Sequence, residues 1–290
     1  MVEVIGSDRE GNASAIRARV NSGARGDAQD LTIDAGRLVV SDGGQISVST
    51  RGAGNAGQLR VQADEIELIG VNPDDGDPSG LFATVEPNAI GRGGNIRILA
   101  AGRLSVQGGA ALSASTFGAG DGGRLSISAG VVEVTGSDRE GFSSSISAQV
   151  NPGATGDAQT LTIDAGRLVA SDGGFISVST FGAGNAGDLT VQADEIELIG
   201  VNPVNRSPSG LSATVAPNVT GRGGNIRILA AGRLSVQGGA ELSASTFGAG
   251  DGGRLSISAG VVEVIGSDGE GIPSSINAQS MQGQREMPKP

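Results

Sequence analysis

The feature that most constrains this chain is that it repeats itself. VEVIGSDREG at Val2 returns as VEVTGSDREG at Val132 and as VEVIGSDGEG at Val262, an offset of 130 residues each time. The offset holds without a gap through GDAQ (Gly26, Gly156), ADEIELIG (Ala63, Ala193) and GRGGNIRILAAGRLSVQGGA (Gly91, Gly221). A chain built this way is expected to fold as stacked copies of one unit, because each unit can bury its apolar edge only against its neighbours.

A shorter unit lies inside the block. L-x-[IV] pairs begin at Leu31, Leu59, Ile96, Leu125, Leu161, Leu189, Ile226 and Leu255, in steps of 28, 37, 29, 36, 28, 37 and 29 residues. Four steps make one block, and each unit has the size of one solenoid coil. Within the unit at Ile96, apolar residues alternate with polar ones in three short runs, carried by Ile96 and Ile98, Leu104 and Val106, and Leu112 and Ala114. Period two is the strand pattern, not the helical one. The intervening AAG, QGGA and FGAGDGG are rich in the residue that turns a chain without steric cost. These observations predict an all-β, right-handed parallel β-helix over residues 1–279, with about eight coils of alternating 28–29 and 36–37 residues and three faces. At the spacing of paired strands the rod would be about 40 Å long. The pattern stops at Ser280, and 280–290 reads as a disordered tail.

Composition narrows the chemistry. The 290 residues include no Cys, His, Trp or Tyr. Imidazole bases, thiolate nucleophiles and soft metal ligands are therefore absent, and no cofactor or structural zinc is expected. A formal charge of −11 argues against nucleic acid. No run is long and apolar enough for a membrane helix, so no membrane insertion is expected. The start, MVEVIGSDRE, has neither the basic nor the apolar region of an export signal.

Candidate binding residues follow from where the repeat varies. Long coils gain their extra residues between the second and third runs, from Gly70, Gly136 and Gly200. There the blocks differ most, Asp74, Asp75, Gly76 and Asp77 standing opposite Val204, Asn205, Arg206 and Ser207. Any ligand read along this edge would meet Asp74, Asp75, Asp77, Asn205 and Arg206, although drift of solvated loops is the plainer explanation. Arg25-Gly26-Asp27 spells an adhesive tripeptide, but the next block has Thr155-Gly156-Asp157, and chance weighs more.

Other patterns point to structure. GAGNAG and GAGDGG match the dinucleotide fingerprint, yet a strand follows each where that site needs a helix. Asp121 and Asp251 occur once per coil, which is too sparse for tandem calcium-binding nonapeptides. Arg37, Glu65 and Arg103 fall on successive coils, predicting alternating charge pairs. Glu67, Glu133, Glu197 and Glu263 are expected outward, two coils apart. Phe117, Phe181 and Phe247 are expected to pack over glycine turns. Thr50, Thr116, Thr180 and Thr246 form the single row an ice-binding face would use, without its T-x-T pairs.

The L-x-[IV] strands alternating with SASTFGAGDGG and SVSTFGAGNAG resemble the repeat region of filamentous haemagglutinin-like exoproteins of two-partner secretion, especially the large cyanobacterial ones. The resemblance covers roughly residues 1–279 and brings no catalytic residues. It implies a non-enzymatic rod or stalk, secreted or at the cell surface, with a cell-surface, matrix or glycan ligand and end-to-end self-association as partners. The secretion domain with its NPNG-type motif is not in this sequence, so a piece of a longer exoprotein is expected. The alternatives are a polysaccharide-acting β-helix enzyme resembling pectate lyases, although no coil holds a lysine, and an ice-binding solenoid.

Overall fold

The computed structural model describes residues 1–8 and 13–279. The segment 280–290, expected as a disordered tail, lies outside them.

The described chain is a parallel β-helix. Long strands such as Leu59–Ile69, Ile96–Gln107, Leu125–Thr135 and Leu161–Ser171 form one ten-stranded sheet, in which each pairs with the long strands of the coils before and after. Short strands such as Gln45–Ser47, Gly80–Phe82, Ala111–Ser113 and Ser145–Ser147 form a second sheet of nine, also in sequence order. Every pairing between named strands is parallel, for example Leu125 with Ile96 on one side and Leu161 on the other. Beyond the short strands, single parallel bridges link Val20, Thr50, Val85, Thr116, Val150, Thr180, Val215 and Thr246 in turn. The alternation in sequence is an alternation in space: Ile96, Ile98, Leu104, Val106, Leu112 and Ala114 all lie in one buried core running from Val4 to Ala244.

Two of the three expected runs prove to be one strand. Ile96–Gln107 continues through the AAG that the sequence predicts as a turn, and Leu125–Thr135 continues through Ala129-Gly130. The longer AAG corner holds one extra residue, so the ladder to the next strand shifts between Ala129 and Val131. Such a bulge bends a strand without ending it, which lets two faces share one sheet. Only the first coil breaks at this corner, into Leu31–Asp34 and Arg37–Ser41. Leu31–Asp34 pairs only with the coil after it.

The glycine turns are where coils come closest. A Cβ on Gly120 would stand 2.0 Å from the Gly91 carbonyl oxygen, one on Gly156 2.1 Å from that of Gly120, and one on Gly184 2.0 Å from that of Gly156. Three residues further on, a Cβ on Gly123 would stand 1.7 Å from the Gly94 oxygen. The strings GAGNAG and GAGDGG are thus glycine columns, whose missing side chains make room for the carbonyls of the coil before. Buried threonines tie the same turns together: Thr50 Oγ1 donates to Gly54 O at 2.7 Å and Thr116 Oγ1 to Gly120 O at 2.6 Å. Thr50, Thr116 and Thr180 are completely buried and Thr246 nearly so, which removes the outward threonine row that an ice-binding reading requires.

Gly120→Ala should therefore cost about 3 kcal/mol or more in unfolding free energy, since backbone cannot yield as a side chain can. Gly26→Ala, at the first position of the same column where nothing lies within 4 Å of the added atom, should stay within about 0.5 kcal/mol of the parent. Chemical denaturation of the two variants checks this. Thr116→Val should cost about 1–3 kcal/mol by leaving a buried carbonyl without its donor, and Thr116→Ser less.

Candidate ligand-binding groove

Along each short strand and the residues after it, side chains alternate between core and surface. Ile46, Val48 and Thr50 are buried in the core, while Gln45, Ser47, Ser49 and Arg51 face the other way. Register then fixes what stands beside what: Arg17, Ser47, Phe82, Ser113 and Ser147 follow one another on five consecutive coils. Two residues along, the matching row is Arg19, Ser49, Thr84, Ser115 and Gln149. These rows line a groove of about 430 Å³ on the outer face of the short-strand sheet.

The floor of the groove is a hydroxyl network. Ser47 Oγ donates to Ser49 Oγ at 2.9 Å, Ser49 and Thr84 share a hydrogen bond of 2.8 Å, and Thr84 Oγ1 donates to Glu86 Oε1 at 2.8 Å. On the next coils Ser113, Ser115 and Ser147 bond to one another at 3.0–3.2 Å. These side chains are largely buried and each hydroxyl proton is used within the network, so what remains toward a polar ligand is acceptor lone pairs. Gln149 Nε2 donates to Asn151 Oδ1 at 3.2 Å, while Gln149 Oε1 is buried with no hydrogen-bond partner among the described residues. Phe82, Phe117, Arg17, Arg19, Arg51, Asp77 and Glu86 also line the groove. Phe117, Phe181 and Phe247 are each about 40% exposed, and Phe117 lines the groove.

The variable loops emerge where expected, and contacts tie them to one another. Asn202 Nδ2 donates to Gly141 O at 2.8 Å, as does Asn205 Nδ2, which joins loops two coils apart. Arg206 pairs with Asp268 and, at 2.9 Å, with Glu270. Arg206 holds φ at +66°, where the first block has Gly76 at +77°, so the ion pairs sit on a backbone conformation glycine would adopt more readily. In the first block Asp75 Oδ1 accepts from the Asp77 N–H at 3.0 Å, and Asp74 donates its N–H to Asn72 Oδ1 at 3.1 Å. Burial, and then the charge of Asp75, push the Asp77 carboxyl above its ordinary value. Of the five edge residues, Asp77 alone also lines the groove. Arg25, Gly26 and Asp27 are exposed, and Asp27 Oδ1 accepts the Asn55 N–H at 2.7 Å.

The acidic row is structural. Register places Glu67, Ser105 and Glu133 on consecutive coils, and Glu197, Ser235 and Glu263 likewise. Glu67 is nearly buried instead of pointing freely outward: it bridges Arg37 Nη2 at 2.5 Å and Arg103 Nη2 at 3.3 Å. Arg103 also reaches Glu133 at 3.2 Å, and the second block repeats the chain from Arg167 through Glu197 and Arg233 to Glu263. The expected partner, Glu65, is 3.7 Å from Arg37 and makes the weaker contact. A second trough follows the corner of the long strands past Asp164, Gln192 and Asp194. No cluster of three or more metal-ligating residues occurs among the described residues.

No family model, curated protein or solved structure matches this chain.

The Asp268 carboxyl yields a pH prediction. Burial pushes it up, but the N–H groups of Ile272 and Glu270, the Arg206 guanidinium and the Gly271 N–H together outweigh burial and hold it below its ordinary value of 3.8. A carboxylate with a depressed folded-state value stabilises above the ordinary one, and that stabilisation is lost as the pH falls through the folded one. Arg206→Ala should therefore lower the thermal midpoint at neutral pH, with the difference shrinking under acid conditions below the ordinary value. Arg206→Gly should be less destabilising than Arg206→Ala by about 1 kcal/mol, because it removes the left-handed strain.

Proposed function

We propose that this chain is a non-enzymatic rod, the adhesive repeat region of a secreted or cell-surface protein of the filamentous haemagglutinin-like kind. The observation that carries the reading is a periodic scaffold whose acidic side chains stay spaced and paired with arginine. The same ladders, glycine columns and arginine–glutamate chains recur through both 130-residue blocks. An active site needs a local departure that converges reactive groups. Here Glu67, Glu133, Glu197 and Glu263 are each engaged by arginine and spaced by an intervening coil. Regular coils add length in proportion to their number, which suits a stalk that holds a binding surface away from a cell.

The lysine-free coils and arginine-locked carboxylates weigh against a lyase-like enzyme. The reading is tested with beads carrying the purified chain, scored for attachment to glycan-coated surfaces against beads carrying an unrelated β-solenoid. Acidic polysaccharides incubated with the protein and calcium are followed for chain length in parallel. Attachment above the control with substrates intact is the expected result. Depolymerisation would overturn the non-enzymatic half, and attachment no greater than the control the adhesive half.

A further inference from the structure

The duplicated block provides an internal standard for the groove, since it shows which residues the fold requires at each position. At Arg17, Arg19 and Arg51 the second block has Ser147, Gln149 and Phe181, so the β-helix does not need arginine at any of the three. Yet all three line one groove, although Arg51 is 34 residues beyond Arg17 in a chain of net charge −11. Stacking brings them together: Arg17 is in register with Ser47, and the bridge from Val20 to Thr50 puts Arg51 one coil on from the segment that carries Arg19.

None of the three forms an ion pair with a described residue, whereas Arg37, Arg103, Arg167 and Arg233 all do. Among the described residues, Arg17 hydrogen-bonds only to Gln45 Oε1 at 3.4 Å, and Arg19 only to Asn21 Oδ1 at 3.1 Å. Burial and the neighbouring charges of Arg19 and Arg51 depress the Arg17 guanidinium below the ordinary arginine value. Asp77 and Glu86 line the same groove, but neither forms an ion pair with the three arginines, which leaves a local excess of positive charge that a bound anion would relieve.

We propose that the groove binds an acidic oligosaccharide, with carboxylate or sulfate groups held by Arg17, Arg19 and Arg51 and the sugar chain lying along the hydroxyl floor. Guanidinium forks match the planar or tripodal oxygens of such anions. Ser47, Ser49, Thr84, Ser113 and Ser115 line the floor as largely buried hydroxyls whose protons are used on one another and on Glu86 and Ser147, so they offer sugar hydroxyls acceptor lone pairs. Phe82 and Phe117 supply apolar walls for the C–H faces of the rings. Phe82 is again particular to the first block, where the second has Ser212. A nucleic acid of equal charge lacks this match, having bases for which the floor offers no aromatic stacking row.

The proposal deepens the adhesive reading by naming a ligand class, but its test is separable from that reading. The parent chain and the triple variant Arg17→Ser, Arg19→Gln, Arg51→Phe, which installs the second block's own residues, are titrated calorimetrically at low salt. The probes are a sulfated heparin-type hexasaccharide, an oligogalacturonate, a neutral cello-hexasaccharide and a single-stranded oligonucleotide of matched charge. The parent should bind at least one acidic sugar, more weakly as salt rises, and the triple variant should lose about tenfold or more of that affinity with an unchanged circular dichroism spectrum. Phe82→Ser should weaken binding further while leaving its salt dependence unchanged. Equal affinity in the triple variant, binding of the oligonucleotide as tight as that of the sugars, or no binding of either acidic sugar would each overturn the proposal. Bead attachment that survives in the triple variant would leave the adhesive reading standing while removing this site.

Discussion

The coil-to-coil distance is the constraint on which the rest of this structure depends. Parallel ladders hold neighbouring backbones at about 4.8 Å around the whole circuit, including the turns. In a strand the side chains project away from the neighbouring coil, so the spacing admits any residue. In the turn after each short strand they project into it, and the carbonyl oxygens of Gly91 and Gly94 occupy the space a Cβ on Gly120 or Gly123 would need. The abundance of glycine, 51 residues, thus follows from geometry in addition to flexibility. The buried threonine hydroxyls satisfy carbonyls of the same turns, so one column serves both close approach and hydrogen bonding.

That spacing also governs charge. Residues in register on successive coils are near enough that like charges repel and opposite charges pair. The long-strand sheet answers with two chains, Arg37–Glu67–Arg103–Glu133 and Arg167–Glu197–Arg233–Glu263. Each inner member bridges two partners, so the carboxylates are committed to holding coils together. On the short-strand sheet the outward rows are mostly serine and threonine, whose mutual hydrogen bonds need no charge. Arg17, Arg19 and Arg51 depart from that pattern, and none of them forms an ion pair with a described residue although Asp77 and Glu86 line the same groove.

The variable edge shows how a repeat absorbs change. Loops at Gly70, Gly136 and Gly200 leave between the long and short strands without disturbing either ladder. Their sequences diverge, but each finds interlocking bonds: a carboxylate–amide turn around Asp75 and Asp77 in the first block, an amide to Gly141 and an arginine to Asp268 in the second. The left-handed position filled by Gly76 or Arg206 persists through the divergence, so the backbone path is held more tightly than the side chains.

The sequence by itself determined the coil, its period, the inward residues and the place of the edge loops, because period-two burial and a gapless 130-residue offset are local or directly comparable. It misassigned the corner, since a bulge and a turn can both be written Ala-Ala-Gly and only pairing with a neighbouring coil decides which forms. It chose Glu65 over Glu67 as the arginine partner, because a guanidinium reaches diagonally across a twisted sheet. It did not reveal the groove. Alternation tells that Ser47, Ser49 and Arg51 face outward, but not that their face is concave, nor that coil stacking brings Arg17, Arg51 and Phe117 to one wall. Curvature arises from the closing of the whole coil around its core, and only the tertiary structure decides it.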